Sequence, residues 1–140
     1  ALSLEGAYGV MVDNIAMRGS SGTFFHRVSQ QQLRRFYDYL NVKLIILQFG
    51  GNTLPALKDT AMAKSYAGYM RYQLSLVKKL APDASILFIG PSDMSVKDGT
   101  SYVTYSLLEP TRDYLREVVL GSGCAYFDLY DVMGGRNSEI

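Results

Sequence analysis

The sequence has one cysteine and one histidine among its 140 residues. A lone cysteine, Cys124, excludes an intrachain disulfide, and its place before a strand-like run predicts a small buried hydrophobe, not a nucleophile. A lone histidine, His26, excludes a zinc site made of two or three imidazoles, and no cluster of cysteines or carboxylates replaces them. No metal site built from these side chains is therefore expected.

The sequence also lacks long apolar runs and a large excess of charge of either sign. No apolar run approaches the roughly 18 residues that a membrane-spanning helix needs, so no span is expected. The formal net charge is +1, and lysine and arginine are spread along the chain, so nucleic acid is not an expected partner. Hydrophobic residues make up 48% of the chain, which suits one folded domain over residues 1–140.

Short apolar runs that end in turn residues alternate with helical patterns. Because these runs are continuously apolar, they predict strands buried on both faces, as in a parallel sheet. The predicted strands are Ala7–Asp13, Lys43–Phe49, Ser85–Gly90 and Ala125–Leu129.

Three amphipathic helices are predicted between the strands. The first follows the capping residue Ser29, the second runs from about Thr60 to Leu80, and the third begins at Pro110 and ends before Gly123. Their predicted apolar faces are Leu33, Phe36, Tyr37 and Leu40; then Met62, Tyr66, Tyr69, Met70, Leu74 and Val77; then Tyr114, Leu115, Val118 and Val119. Strands that alternate with helices in this way favour a doubly wound α/β sandwich.

Function in such a sheet gathers in the loops that follow the carboxyl ends of the strands. Asn52 follows a buried strand in Gly50-Gly51-Asn52, and its side chain is an amide donor that cannot ionise. In the preceding loop, Gly19 offers a backbone amide with no side chain to block approach. Two donors that converge on one oxygen form an oxyanion hole, although ordinary turn chemistry also explains both residues.

These two loops resemble signature blocks of the SGNH (GDSL-like) hydrolase family. Asn14 with Gly19 resembles the second block, and Gly50-Gly51-Asn52 resembles the third. The stretch ILFIGPSDM at 86–94 is similar to the strand that follows in such enzymes. The stretch YFDLYDVMGGRNS at 126–138 resembles the segment before their catalytic Asp-x-x-His, especially among envelope esterases similar to peptidoglycan O-acetylesterases.

The resemblance implies a three-layer α/β/α, flavodoxin-like fold with a mainly parallel sheet. It also implies a serine esterase that cleaves acyl esters, acetyl among them, on carbohydrate or lipid, in the periplasm or at the cell surface. It implies neither a metal nor an organic cofactor. Gly19 and Asn52 would stabilise the tetrahedral oxyanion that forms when a serine attacks the ester carbonyl.

The chain departs from the family pattern at three places. Thr53 stands where the family usually has aspartate, and neither a Gly-Asp-Ser triplet nor an Asp-x-x-His block occurs. The nucleophile and its base are therefore expected outside these residues, and the 140 residues alone are expected to be inactive. The first strand is expected to come from a separate N-terminal segment and to lie between the strands at 7–13 and 43–49.

Other polar residues give weaker signals. Ser20 and Ser21 directly follow Gly19, but the sequence around them does not match the Gly-x-Ser-x-Gly pattern of a nucleophile elbow. His26 is read as a surface or capping residue, while Asp93 and Asp98 either line a pocket or are solvated loop acids. A non-catalytic flavodoxin-like module that binds an anion or sugar, or a pseudoenzyme, remains the alternative, and the absence of a Walker loop disfavours a nucleotide.

Overall fold

The computed structural model describes residues 8–138. None of the helices in this range is long and apolar enough to cross a membrane. The helices are α1 (Gln30–Tyr39), α2 (Thr60–Leu80), α3 (Leu108–Gly121) and α4 (Leu129–Val132), with short 3-10 helices at Phe25–Arg27 and Gly51–Ala56. The strands are β1 (Leu44–Gln48), β2 (Ser85–Ile89), β3 (Ser95–Asp98), β4 (Ser101–Thr104) and β5 (Ala125–Phe127).

Three of the strands form a parallel sheet in the order β1-β2-β5. Leu47 of β1 lies beside Phe88 of β2, which lies beside Tyr126 of β5. Strands β3 and β4 form a separate antiparallel hairpin. The predicted α/β fold with a mainly parallel sheet is confirmed.

One face of the sheet carries the core. Successive strand side chains point to opposite faces, so Leu47, Ile86 and Phe88 share a face, and all three are buried against the helices. Helix α2 begins at the capping residue Asp59, whose carboxylate accepts from the Met62 amide at 2.8 Å. The fully buried residues Met70, Leu74 and Val77 of α2 pack on this face. Leu115 and Val119 of α3 join them there. Cys124 is buried in the same core, as predicted.

The other face of the sheet is largely uncovered by residues 8–138. Leu44 and Ile46 are 53% and 54% exposed, and Phe127 is 43% exposed. Strand β1 also lies at the edge of the sheet, because β2 is its one neighbour within the described part of the chain. The described residues thus place helices α1, α2 and α3 on one face and leave an apolar face and an edge open.

The predicted strand at 7–13 does not form over residues 8–13, which have no regular secondary structure. Ala7 lies outside the described residues. The side chains of Tyr8, Val10 and Val12 are 97%, 91% and 83% exposed. A strand needs a neighbour to pair its backbone groups, and none of the described strands pairs with this segment. The segment therefore has the apolar composition of a strand but, within the described part of the chain, no strand pairs with it.

Smaller corrections concern element bounds and exposure. Helix α3 begins at Leu108, two residues before the predicted start, and Pro110 fits its first turn because amides there have no helical partner. A hairpin stands where a loop was expected, with Gly99 at φ +59° in its two-residue turn. Three residues predicted to be buried are exposed, namely Phe36, Met62 and Tyr69.

Candidate active site

Gly19 lies in a tight turn. The Ser20 amide donates to the Met17 carbonyl at 3.2 Å, and Gly19, the third residue of that turn, has φ +73°. A positive φ at this position is typical of a type II turn and favours glycine. The Gly19 amide donates to no other described residue, and no atom lies within 4 Å of the position where a Cβ would stand. The amide is therefore available to a ligand.

Asn52 lies in the short helix that follows β1. Its side-chain amide, Nδ2, donates to the Ser20 carbonyl at 3.1 Å. The structure thus brings Asn52 against Ser20, the residue that follows Gly19. A carboxamide nitrogen carries two hydrogens, so one N–H of Asn52 remains for another acceptor. Asn14 is exposed, and no hydrogen bond joins it to Gly19 or Asn52.

The loop after β2 packs against the loop that carries Asn52. A Cβ added to Gly51 would meet the Met94 sulfur at 2.8 Å, and one added to Gly50 would meet Pro91 at 3.2 Å. Gly50 also has φ +121°, which L side chains rarely adopt. The two glycines leave room for this approach, and the loops after β1 and β2 meet at the carboxyl edge of the sheet.

Asp93 is buried at the same edge, which contradicts the reading of it as a solvated loop acid. It is 2% exposed, and the Thr104 hydroxyl donates to its carboxylate at 2.7 Å. The Asn137 amide donates in turn to the Thr104 hydroxyl at 2.8 Å. Asp98, by contrast, is exposed at the end of β3, as a solvated acid would be.

The C-terminal part of the described chain is held by ion pairs. Arg136 donates to Glu109 at 2.6 Å, and the Tyr130 hydroxyl donates to the other oxygen of Glu109 at 2.7 Å. These two hydrogen bonds, that of Arg136 first, lower the pKa of the Glu109 carboxyl. Residues 128–138 therefore lie fixed beside the start of α3.

The Thr53 side chain, at the position where the SGNH family usually has aspartate, makes no hydrogen bond to Asn52. The Thr53 hydroxyl oxygen is buried and has no well-aligned hydrogen-bond partner among the described residues. The nearby Tyr66 hydroxyl donates to the Ser21 carbonyl at 2.7 Å. Burial raises the pKa of Tyr66 to about 12, and the Thr53 hydroxyl acts weakly in the opposite direction.

No described serine is paired with the histidine. The Ser20 hydroxyl accepts from the Gly22 amide at 3.2 Å, and the Ser21 hydroxyl lies 2.9 Å from that of Thr23. His26 is exposed, and its Nδ1 lies 3.0 Å from the side-chain amide nitrogen of Gln73. Residues 8–138 also contain no group of three or more His, Cys, Asp or Glu side chains that could hold a metal ion.

No protein-family model and no curated protein matches the chain. A solved structure is similar, that of a peptidoglycan O-acetylesterase described as "Peptidoglycan O-acetylesterase in action, 5 min", with a TM-score of 0.65 at 20% sequence identity. The match covers 84% of this chain and 33% of that chain, so this chain spans about one third of the length of that protein. The likeness shows the fold: a mainly parallel α/β sheet of the kind found in that esterase.

Proposed function

We propose that this chain is a portion of a serine esterase of the SGNH type and supplies its oxyanion hole. One observation carries the proposal: the 3.1 Å hydrogen bond from Asn52 to the Ser20 carbonyl, which joins the two loops expected to act together. The Gly19 amide and the remaining N–H of Asn52 would bind the oxygen of the ester carbonyl as it gains negative charge. The fold shared with a peptidoglycan O-acetylesterase makes acetyl esters of envelope glycans the first substrates to test.

In the proposed ester hydrolysis, this chain contributes the oxyanion donors. A serine hydroxyl attacks the ester carbonyl while a histidine takes its proton, and the tetrahedral oxyanion collapses as the histidine gives that proton to the leaving alcohol. Water then attacks the acyl-serine by the same route, which releases the carboxylic acid and restores the serine. Each oxyanion donor typically stabilises the transition state by about 2.7–4 kcal/mol. Because the donors are neutral amides, this contribution should not depend on pH near neutrality. The attacking serine and its base belong to other parts of the polypeptide in this proposal.

The test is hydrolysis of an acetyl ester by the full-length protein and its Asn52→Ala variant. We expect kcat/KM to fall by about 10²–10³-fold, the usual effect of removing one such donor. Gln31→Ala is the matched control, because Gln31 is an exposed amide side chain on α1, away from these loops. Equal turnover by wild type and Asn52→Ala would remove Asn52 from the mechanism.

We further propose that a separate N-terminal segment adds a strand to the open edge of β1. The exposed apolar residues Leu44 and Ile46 support this proposal, as does the apolar segment 8–13, which pairs with no described strand. Each buried backbone group left unpaired costs about 1–3 kcal/mol. In the proposed complete sheet β1 is an inner strand, so its open edge needs a neighbouring strand to pair these groups. The 140 residues alone should associate or precipitate, whereas a well-folded monomer of 15.6 kDa in size-exclusion chromatography would contradict the proposal.

The alternative is a non-catalytic module that binds an anion or sugar through the same loops. The absence of a serine–histidine pair among residues 8–138 favours it for this chain. The two functions predict different behaviour of the full-length wild-type protein. An esterase turns over an acetyl ester, whereas a binding module gives heat on titration with acetate or an acetylated sugar and no product.

A further inference from the structure

Two consecutive carbonyls of the Gly19 loop are anchored from different parts of the fold. The Ser20 carbonyl accepts from Asn52 Nδ2 at 3.1 Å, and the Ser21 carbonyl accepts from the Tyr66 hydroxyl at 2.7 Å. Asn52 lies in the short helix after β1, and Tyr66 lies within α2, a helix of 21 residues. The loop is thus fixed both to its neighbouring loop and to the helix layer.

Anchoring a carbonyl also orients the amide of the next residue, because the peptide group is planar. The Ser21 carbonyl belongs to the peptide that contains the Gly22 amide, and this amide donates to the Ser20 hydroxyl at 3.2 Å. Gly22 in turn lies against Phe49, with room for no side chain. The segment from Ser20 to Gly22 is therefore held at each residue, directly after Gly19.

Tyr66 is well suited to hold the loop. Its side chain is 6% exposed, so its ring is fixed by packing in the main core. Burial raises its pKa to about 12, so the hydroxyl keeps its proton and acts as a donor at any pH near neutrality. A buried donor on a rigid helix orders a loop with less entropic cost than an exposed side chain would.

We propose that Tyr66 is a positioning residue for the oxyanion site: it holds the Ser21 carbonyl and so keeps the Gly19 amide aimed at the substrate oxygen. This proposal rests on the proposed esterase function. It gives the Tyr66 hydroxyl a task beyond core packing, and it does not require contact between Tyr66 and substrate. Misplacement of a catalytic donor by about 1 Å can lower a rate by about 10²-fold.

The test is Tyr66→Phe in the full-length protein, with Tyr69→Phe as the matched control. Tyr69 lies on the same helix, is 64% exposed and has no hydrogen bond to a described residue. We expect Tyr66→Phe to lower kcat by 10- to 100-fold with KM nearly unchanged, because an oxyanion donor acts mainly in the transition state. Tyr69→Phe should match wild type. An unchanged kcat in Tyr66→Phe, or a change confined to KM, would overturn the proposal.

A second measurement separates this proposal from the esterase function and needs no variant. In wild-type protein, amide hydrogen exchange at Ser20 and Gly22 should be at least tenfold slower than in segment 8–13, which lies in no helix or strand. Exchange as fast as in that segment would show that the loop is not held, and would overturn the proposal. Slow exchange without any ester hydrolysis would leave the loop anchored but refute the esterase function, and with it the role of Tyr66 in positioning.

Discussion

Gly22 is the position where one added carbon should cost most, and the reason is steric. A Cβ at Gly22 would lie 2.5 Å from Cγ of Phe49 and 3.0 Å from the Met70 methyl carbon. Cγ is the first ring atom of Phe49, so it cannot move away without a change in χ1 or in the end of β1. Gly22 also has φ +80°, a conformation that L residues adopt at a cost.

The expected loss has two parts. The left-handed backbone costs about 1–2 kcal/mol for a non-glycine residue. Overpacking against a fixed ring costs typically about 1–3 kcal/mol. Gly22→Ala should therefore lower the free energy of unfolding by about 2–5 kcal/mol, a large share of the roughly 5–15 kcal/mol that stabilises a domain. Urea denaturation measures this as a lower midpoint at an unchanged slope.

Gly99→Ala is the matched control for the steric part. Gly99 has φ +59°, but no atom lies within 4 Å of its missing Cβ. The control should lose only the backbone cost of about 1–2 kcal/mol. Equal losses in the two variants would refute the steric argument. In a Phe49→Ala background, Gly22→Ala should fall to the cost of the control, since the clashing ring is gone; an undiminished cost there would also contradict the reasoning.

Two further predictions concern pH. Burial raises the pKa of Tyr66 from 10.0 to about 12, so between these values the folded protein keeps a proton that the unfolded chain loses. The free energy of unfolding of the wild type should therefore decline as the pH rises from 10 to 12, and it should decline less in Tyr66→Phe. Parallel curves for the two proteins would contradict the assignment. Hydrogen bonds from Arg136 and Tyr130 lower the pKa of Glu109, so its carboxylate stabilises the fold above the usual glutamate pKa and loses this effect as the pH falls through the lowered value. Glu109→Gln should therefore melt at a lower temperature than wild type at neutral pH, and the gap between the two melting temperatures should shrink in acid. A gap that stays constant with pH would refute the ionic origin.

The sequence predicted the sheet well, since its three parallel strands lie within the predicted apolar runs, and both α2 and the cap at Ser29 were located correctly. Apolar runs and helical periodicity are local properties, and local properties are visible in a sequence. The strand at 7–13 failed for the opposite reason. Its pattern is apolar and suits a strand, but strand formation depends on a neighbour, and no described strand pairs with it.

The hairpin at 95–104 was missed although its signal was present. Gly99-Thr100 between two short runs fits a Gly-X hairpin turn, but the surrounding Ser, Lys and Thr residues resemble a loop. The exposure of Tyr69 shows a different limit. Its spacing fits the buried stripe of α2, but the sheet and α3 cover only part of that helix, and the width of the covered stripe depends on tertiary packing.

The candidate site divides along the same line. Gly19 and Asn52 could be named from the sequence because glycine turns and amide donors are residue types with a chemical meaning. Tyr66 could not, since its partner is the Ser21 carbonyl, and a backbone carbonyl is present at every residue. The burial of Asp93 was likewise hidden, because its partner Thr104 lies in the hairpin that the sequence reading missed.

Anchoring through carbonyls has a consequence for which residues the loop needs. Asn52 and Tyr66 hold backbone oxygens of Ser20 and Ser21, and those oxygens are present whatever the side chains at these two positions. The glycines on either side are different: Gly19 provides an unobstructed amide, and Gly22 provides room for Phe49. In the proposed oxyanion site, the geometry thus depends on two glycines within the loop and two donors outside it. A rigid sheet and helix can in this way orient a short polar loop whose own side chains contribute little, which is how a site on a loop reaches the precision that catalysis demands.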